Sequence, residues 1–118
     1  MKAGKTWGQT ELLLSNPTLE LHRIEFSSGK QCSMHCHEHK YNAFLCLEGE
    51  LAIHVQKNDY DLTDVTILQQ GDLCVVPPGE FHRFIAHTDG VALEIYWAAH
   101  LDVNDIIRKD VGGDAPDD

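Results

Sequence analysis

Three histidines stand at spacings from which a protein can bind one metal ion. His35 and His37 are separated by a single residue, and His82 follows the turn-forming run Pro77-Pro-Gly79. In an extended strand the side chains alternate between two faces, so His35 and His37 point the same way. An imidazole from a second strand would complete a ligand set for a transition metal ion. The sequence therefore predicts a three-histidine metal site assembled from two parts of the chain.

Short β-branched and aromatic runs, separated by Gly, Pro, Asn and Asp, predict the strands that hold these histidines. The first histidine strand is predicted over residues 30–37. The other predicted strands cover residues 11–14, 19–26, 43–47, 50–56, 60–68, 73–76, 81–86 and 91–98. A total of roughly eight to ten strands exceeds the mean for an open sheet. We therefore expect an all-β fold that closes into a jelly roll and so hides its strand edges.

The two ends of the chain differ from this pattern. Residues 1–10 are polar apart from Trp7, which predicts a loose arm or an edge strand that packs on a neighbour. After a core of about residues 11–100, Asp102 could cap a short helix in which Val103, Ile106 and Ile107 share one face. The last five residues form an acidic tail. At 118 residues the whole chain is predicted to be one domain.

Composition excludes several classes of function. The formal net charge of -10 opposes binding to nucleic acid and to anionic membranes. The sequence contains no apolar stretch long enough to span a bilayer, and its N-terminus lacks the apolar core of a signal peptide, so a cytoplasmic location is expected. Four cysteines form no C-x-x-C pair, which disfavours a zinc ribbon and favours reduced structural thiols. Strand alternation aims Cys32 and Cys36 away from the metal.

The order and spacing of two motifs resemble those of the cupin family. The first motif is matched by Gly29, His35, His37, position 42 and Gly49, and the second by Gly71, Pro77, Gly79 and His82. The resemblance implies a small jelly-roll barrel that holds one divalent transition metal ion, either Zn, Ni, Fe, Mn or Cu, on histidines 35, 37 and 82. It also implies a small-molecule ligand in the barrel.

The fourth ligand position departs from the family pattern. Cupins usually place a glutamate where this chain has Asn42, whose amide oxygen is neutral and a poorer ligand for a hard divalent ion. Asn42 is thus a weak fourth ligand or a hydrogen-bond partner of bound water or substrate. His39 is the alternative fourth ligand, because it shares the alternation of His35 and His37 if the strand continues.

Two functions are compatible with this resemblance. The first is a metal-dependent enzyme, a dioxygenase, isomerase or lyase, that acts on a small oxygenated metabolite; thiol dioxygenases resemble this site in having three histidines and no glutamate. The second is a non-catalytic module that binds a sugar or another small molecule. Phe44, Phe84 and Tyr96 are candidates for the substrate pocket.

Assembly is predicted from strand alternation. Cys32, Met34 and Cys36 would face outward and, with Trp7, form an apolar patch for a second copy of the chain. A homodimer is therefore expected.

Overall fold

The computed structural model describes residues 2–57, 62–99 and 102–116. Within these ranges the chain forms strands and no helix. The strands are β1 Lys2–Lys5, β2 Gly8–Asn16, β3 Leu19–Phe26, β4 Lys30–Gln31, β5 His35–Cys36, β6 Tyr41–Glu48, β7 Leu51–Lys57, β8 Leu62–Leu68, β9 Leu73–Val76, β10 His82–Ala86, β11 Gly90–Trp97, β12 Ile107–Arg108 and β13 Gly113–Asp114. The all-β prediction is confirmed.

Two antiparallel sheets enclose the core. One has the order β1-β2-β3-β11-β6-β9. In the other, β10 pairs with β7 on one side and with the short strands β4 and β5 on the other, and β8 continues the sheet beyond β7. Alternate residues of the central strands, such as Phe44 on β6 and Phe84 on β10, point into one buried cluster.

The predicted first histidine strand is interrupted. Residues 32–34 are not in strand conformation and separate β4 from β5. Alternation therefore fails across this gap, and Cys32 belongs to the buried core, where its sulfur accepts a hydrogen bond from the N–H of Phe84 at 3.1 Å. The prediction that strand alternation aims Cys32 outward was wrong. All four cysteines are free.

The predicted C-terminal helix is absent, and this prediction was wrong. Asp102 does cap a turn, because its Oδ1 accepts the N–H of Asn104 at 2.9 Å, but the chain then extends instead of coiling. Strands β12 and β13 pair with β5 and β4. Val103, one of the three residues predicted to share a helix face, is 81% exposed. The backbone of this segment forms its hydrogen bonds within the sheet. A short helix with only three apolar residues would have been too weakly stabilised to compete with this pairing.

Glycine permits the close approach of this C-terminal segment to the sheet. Gly112 has a φ of 71°, and a Cβ there would lie 2.6 Å from the backbone carbon of Cys32. Asp110 holds the same segment, since its carboxylate accepts hydrogen bonds from the N–H of Met34 at 2.9 Å and from the guanidinium of Arg83. Cys32, Met34 and Cys36 are consequently buried beneath residues of their own chain.

The N-terminal residues form part of the larger sheet. Strand β1 folds back on β2 with Lys5 opposite Gly8, and the turn between them places Trp7 in the core. The Trp7 ring meets the Phe84 ring edge to face, with centroids 4.8 Å apart. Trp7, like Cys32, Met34 and Cys36, is therefore not part of an exposed patch, and the surface proposed for a partner from strand alternation was wrong.

Across residues 2–57, 62–99 and 102–116, the structure contains no helix of the length and apolar character that crossing a membrane requires.

Candidate metal centre

The three predicted histidines meet between the two sheets. His35 on β5 lies directly opposite His82 on β10, and their ring centroids are 4.7 Å apart. The His37 ring lies 5.0 Å from that of His35 and 5.5 Å from that of His82. One nitrogen from each ring falls within 4.8 Å of the others, and all three residues are buried. The predicted convergence is confirmed.

Hydrogen bonds on the outer side of the cluster orient each ring. The Nδ1 atoms contact Ser33 Oγ at 2.8 Å for His35, the Asp105 carbonyl oxygen at 2.7 Å for His37 and the Glu80 carbonyl oxygen at 3.0 Å for His82. A carbonyl oxygen only accepts, so Nδ1 of His37 and of His82 carries the proton and Nε2 keeps its lone pair. Outer partners of this kind orient the imidazole ligands of metal sites.

One atom of the cluster has no partner within the described chain. Nε2 of His37 is buried and forms no hydrogen bond. A buried polar atom without a partner is rare, because it has lost its hydration and gained nothing in exchange. A metal ion bound among the three rings would accept this lone pair. The residues present therefore fit a metal ion.

Burial also keeps the rings in the form that binds metals. Loss of hydration, followed by the effect of the neighbouring imidazoles, lowers the pKa of His35 to about 2. Loss of hydration lowers the pKa of His37 to about 4, and it also lowers the pKa of His82. At neutral pH all three are neutral imidazoles with a free lone pair.

Backbone contacts join the two motifs. Gly79, with a φ of 84°, turns the chain before His82, and its N–H donates to the carbonyl of His37 at 2.8 Å. Asp105 secures the opposite side. Its carboxylate accepts the N–H groups of Glu38 at 2.6 Å and His39 at 2.8 Å. Sequence reasoning missed Asp105, because only the paired C-terminal segment brings it here.

The two candidates for a fourth ligand occupy different places. Asn42 is fully buried, and its Oδ1 lies 3.1 Å from Nε2 of His82. His39 lies outside the cluster, with a side chain that is 76% exposed beside Glu38. The bend after β5 separates it from the alternation that His35 and His37 share.

A buried carboxyl stands next to the cluster. Glu94 on β11 accepts a hydrogen bond from Nδ2 of Asn42 at 3.3 Å and interacts with the hydroxyl of Tyr96. Burial raises the pKa of Glu94. The sequence held a signal for it, because alternation along residues 91–98 puts Glu94 and Tyr96 on one face, but it did not establish that this face points inward.

A cavity of about 390 Å³ opens beside the histidines. Its walls include His35, Glu94, Phe84 and Tyr96. Tyr96 and Phe84 are thus placed where a pocket residue would be. Phe44, the third aromatic candidate, is absent from these walls; it is a core residue whose ring lies 6.3 Å from that of His82. His22, which was not among the predicted pocket residues, also lines the cavity.

Comparison with known families agrees with this geometry. A family model described as "Cupin domain" matches residues 22–99. The chain belongs to the cupin family. Among curated proteins this cupin is 27% identical over 107 residues to a mannose-1-phosphate guanylyltransferase of Sinorhizobium fredii. It is 33% identical over 79 residues to a germin-like protein of Arabidopsis thaliana. The matches cover 88% and 64% of this cupin but only 20% and 36% of those relatives.

Solved structures share the cupin fold at low sequence identity. CapF, the capsular polysaccharide assembling protein of Staphylococcus aureus, superposes with a TM-score of 0.79 at 18% identity, over 94% of this cupin and 34% of CapF. Oxalate decarboxylase of Bacillus subtilis gives 0.78 at 13%, over 92% and 30%. KdgF of a Halomonas species gives 0.73 at 17% and is matched along most of its length, over 85% and 87%.

Proposed function

We propose that this cupin is a metal-dependent enzyme that catalyses proton transfer, as an isomerase or a lyase, on a small oxygenated metabolite. The observation that supports it most is the unpartnered Nε2 of His37, which points into a cluster of three buried neutral imidazoles. Next to this cluster, the cavity provides space for a substrate and contains a carboxyl group. These are the elements of a catalytic metal site that retains open coordination positions.

In this proposal His35, His37 and His82 hold one divalent transition metal ion, and Asn42 Oδ1 is the weak fourth ligand. Imidazoles are suitable ligands for Zn, Ni, Fe, Mn and Cu, so the proposal names this group of metals and does not choose one member of it. When bound, the ion would act as a Lewis acid that polarises a substrate oxygen.

Glu94 is the residue proposed to move the proton. Its carboxyl lies in the cavity wall, one amide group away from His82. A carboxyl whose pKa is raised by burial is both a stronger base when ionised and a usable acid nearer neutral pH. Tyr96 interacts with the same carboxyl and meets the His37 ring edge to face at 5.3 Å, so it positions Glu94 relative to the histidines.

Two other functions follow from specific features. Three histidines without a carboxylate ligand favour the dioxygenase alternative, because thiol dioxygenases of the cupin family resemble this site in that respect. The neutral Asn42 favours a non-catalytic module that binds a sugar or another small molecule. Mannose 1-phosphate and oxalate, which appear in the names of similar proteins, are both small and rich in oxygen. The cytoplasmic location and the homodimer stay predictions.

Metal analysis of untagged protein tests the proposed metal site. We expect about one transition metal ion per chain in the wild type and its loss in His37→Ala and His82→Ala. His39→Ala is the matched control, since His39 is exposed beside the same turn. Equal metal content in all four proteins would overturn the metal site.

Substrate screening then separates the three functions. Proton transfer predicts exchange of substrate carbon-bound hydrogen with deuterated solvent, in a panel of hydroxy acids, oxo acids and sugars, and loss of that exchange in Glu94→Gln. Oxygen consumption would instead support the dioxygenase, and tight binding without exchange or oxygen consumption would support the binding module.

A further inference from the structure

The cationic side chains of this acidic cupin are unevenly paired. Lysine and arginine number 9 against 19 aspartates and glutamates, so a partner is available to nearly every cation. Four of the cations, Arg23, Lys30, Lys57 and Arg83, do form ion pairs with carboxylates. The other five, Lys2, Lys5, Lys40, Arg108 and Lys109, form no such pair in the part of the chain that the structure describes, although Lys109 donates a hydrogen bond to the side-chain oxygen of Gln56.

Three of these five cations stand at the candidate site. Lys5, the last residue of β1, and Arg108, from β12, both line the cavity. Arg108 lies directly opposite His35 in the pairing of β12 with β5. The ammonium group of Lys40 stands 4.0 Å from the centre of the Tyr96 ring, which forms another wall. Two of the five cations without an ion pair therefore line the cavity of a protein whose net charge is -10, and a third stands over one of its walls.

An unpaired cation beside a cavity is a recognition element for an anion. The guanidinium of arginine presents a planar fork of N–H donors that matches a carboxylate in two parallel hydrogen bonds. Lys5 and Arg108 are both exposed residues, so such a contact would be sensitive to ionic strength. Excess negative charge elsewhere on the protein would repel an anion, so local cations are needed to hold one.

We propose that the ligand of this cavity is a small hydroxy or oxo carboxylate, whose carboxylate is bound by Arg108 and Lys5 while its second oxygen faces the histidines. This inference rests on the proposed function for the role of that second oxygen. The volume of about 390 Å³ suits a molecule of this size. A monocarboxylate fits better than a phosphate dianion, because among the described residues only two cations, Lys5 and Arg108, line the wall and because Glu94 would repel a dianion more strongly than a monoanion.

Binding to matched probes tests the charge requirement. Lactate, glycolate and pyruvate would be titrated calorimetrically into Zn²⁺-loaded protein at low ionic strength, together with lactamide as the neutral counterpart of lactate. We expect at least one of the carboxylates to bind at least tenfold more tightly than lactamide, with an affinity that falls as salt is added. Equal affinities, or tighter binding of inorganic phosphate than of every carboxylate, would overturn the proposal.

Two pairs of variants locate the contact. Arg108→Gln and Lys5→Gln should each weaken carboxylate binding by about tenfold or more, as expected for the loss of a charge-assisted hydrogen bond. Lys109→Gln and Lys2→Gln are the matched controls. They change neighbouring cations on the same segments that do not line the cavity, and should stay within about twofold of wild type. Equal weakening by variants and controls would mean a general charge effect and would overturn the site.

Failure of this inference is distinguishable from failure of the metal site. If the histidine variants keep the metal content of wild type, and the wild type still prefers carboxylates, the proposed metal site is refuted and the anion site stands. If the histidine variants lose the metal, but the wild type shows no preference for carboxylates, only the anion site is refuted.

Discussion

Nε2 of His82 lies 3.1 Å from Oδ1 of Asn42. Because Nδ1 of His82 donates to the Glu80 carbonyl, the atoms that face each other are a lone pair and an amide oxygen, neither of which can donate. Burial lowers the pKa of His82 and so opposes a second proton on the ring. A cation bound by both atoms removes the conflict. Without a cation, the side-chain amide of Asn42 must be flipped, so that its Nδ2 donates to Nε2 of His82. Glu94 must then carry a proton that it donates to Oδ1 of Asn42.

Asn42→Asp tests this arrangement directly. Without metal, the new carboxylate lies buried next to Glu94, and we expect a loss of roughly 1–3 kcal/mol in the free energy of unfolding. With metal, the charge is neutralised and metal affinity should rise at least tenfold. Thermal unfolding with and without metal measures both effects, and Asn104→Asp, on the exposed C-terminal turn, is the control. Equal destabilisation in both conditions would contradict the prediction.

Glu94 should titrate above the ordinary range of a glutamate. Burial raises its pKa, so the carboxyl resonance of Glu94 in ¹³C NMR of the metal-free protein should have a midpoint clearly above about 4.3. Glu94→Gln identifies the resonance by its disappearance and should keep the fold and the metal content. Glu48→Gln, at the exposed end of β6, should leave that resonance unchanged. A midpoint at or below the ordinary value would refute the assignment.

Acid should destabilise the metal-free protein through the histidines. Their pKa values are lowered in the folded state, to about 2 for His35 and about 4 for His37, so below about pH 6.5 only the unfolded chain binds these protons. Stability is therefore complete above that pH and falls as the pH approaches 4, by roughly 3 kcal/mol from His37. Urea unfolding at a series of pH values measures this effect. The free energy of unfolding should fall less steeply with decreasing pH in His37→Gln than in wild type or His39→Gln. The same pH dependence in all three proteins would show that His37 is not held neutral.

Asp105→Ala should weaken metal binding without removing a ligand. The change leaves the N–H groups of Glu38 and His39 without their acceptor and frees the turn that carries His37. Loss of such outer support costs metal affinity about 10- to 100-fold. Competition with a chelator measures it, and Asp114→Ala, which breaks only an exposed ion pair with Lys30, should match wild type.

The homodimer prediction now needs a different surface from the one suggested by the sequence. The described apolar residues that remain exposed include Leu13 and Leu14 on β2, Val65 and Ile67 on the edge strand β8, and Val75 on the edge strand β9. A dimer would cover one of these edges. Light scattering at micromolar concentration should give the mass of two chains, and the mass of one chain would refute the dimer.

Regular alternation made much of the barrel predictable. The strand predicted over 73–76 is found as Leu73–Val76, and that over 91–98 as Gly90–Trp97, because each runs between clear turn signals. The histidines were predictable for a different reason: their spacing and the turn at Gly79 are local properties. No local property marks Asp105 or Arg108 as neighbours of His37 and His35. Their positions depend on the pairing of β12 with β5, which forms in place of the predicted helix.

The C-terminal pairing also sets the order in which the site can be built during synthesis. His35, His37 and His82 all leave the ribosome before Asp105, whose carbonyl fixes the His37 ring and whose carboxylate closes the adjoining turn. A nascent chain that ends before residue 105 would therefore lack the contacts that orient the His37 ring. Full metal affinity should appear only once residue 105 has left the ribosome.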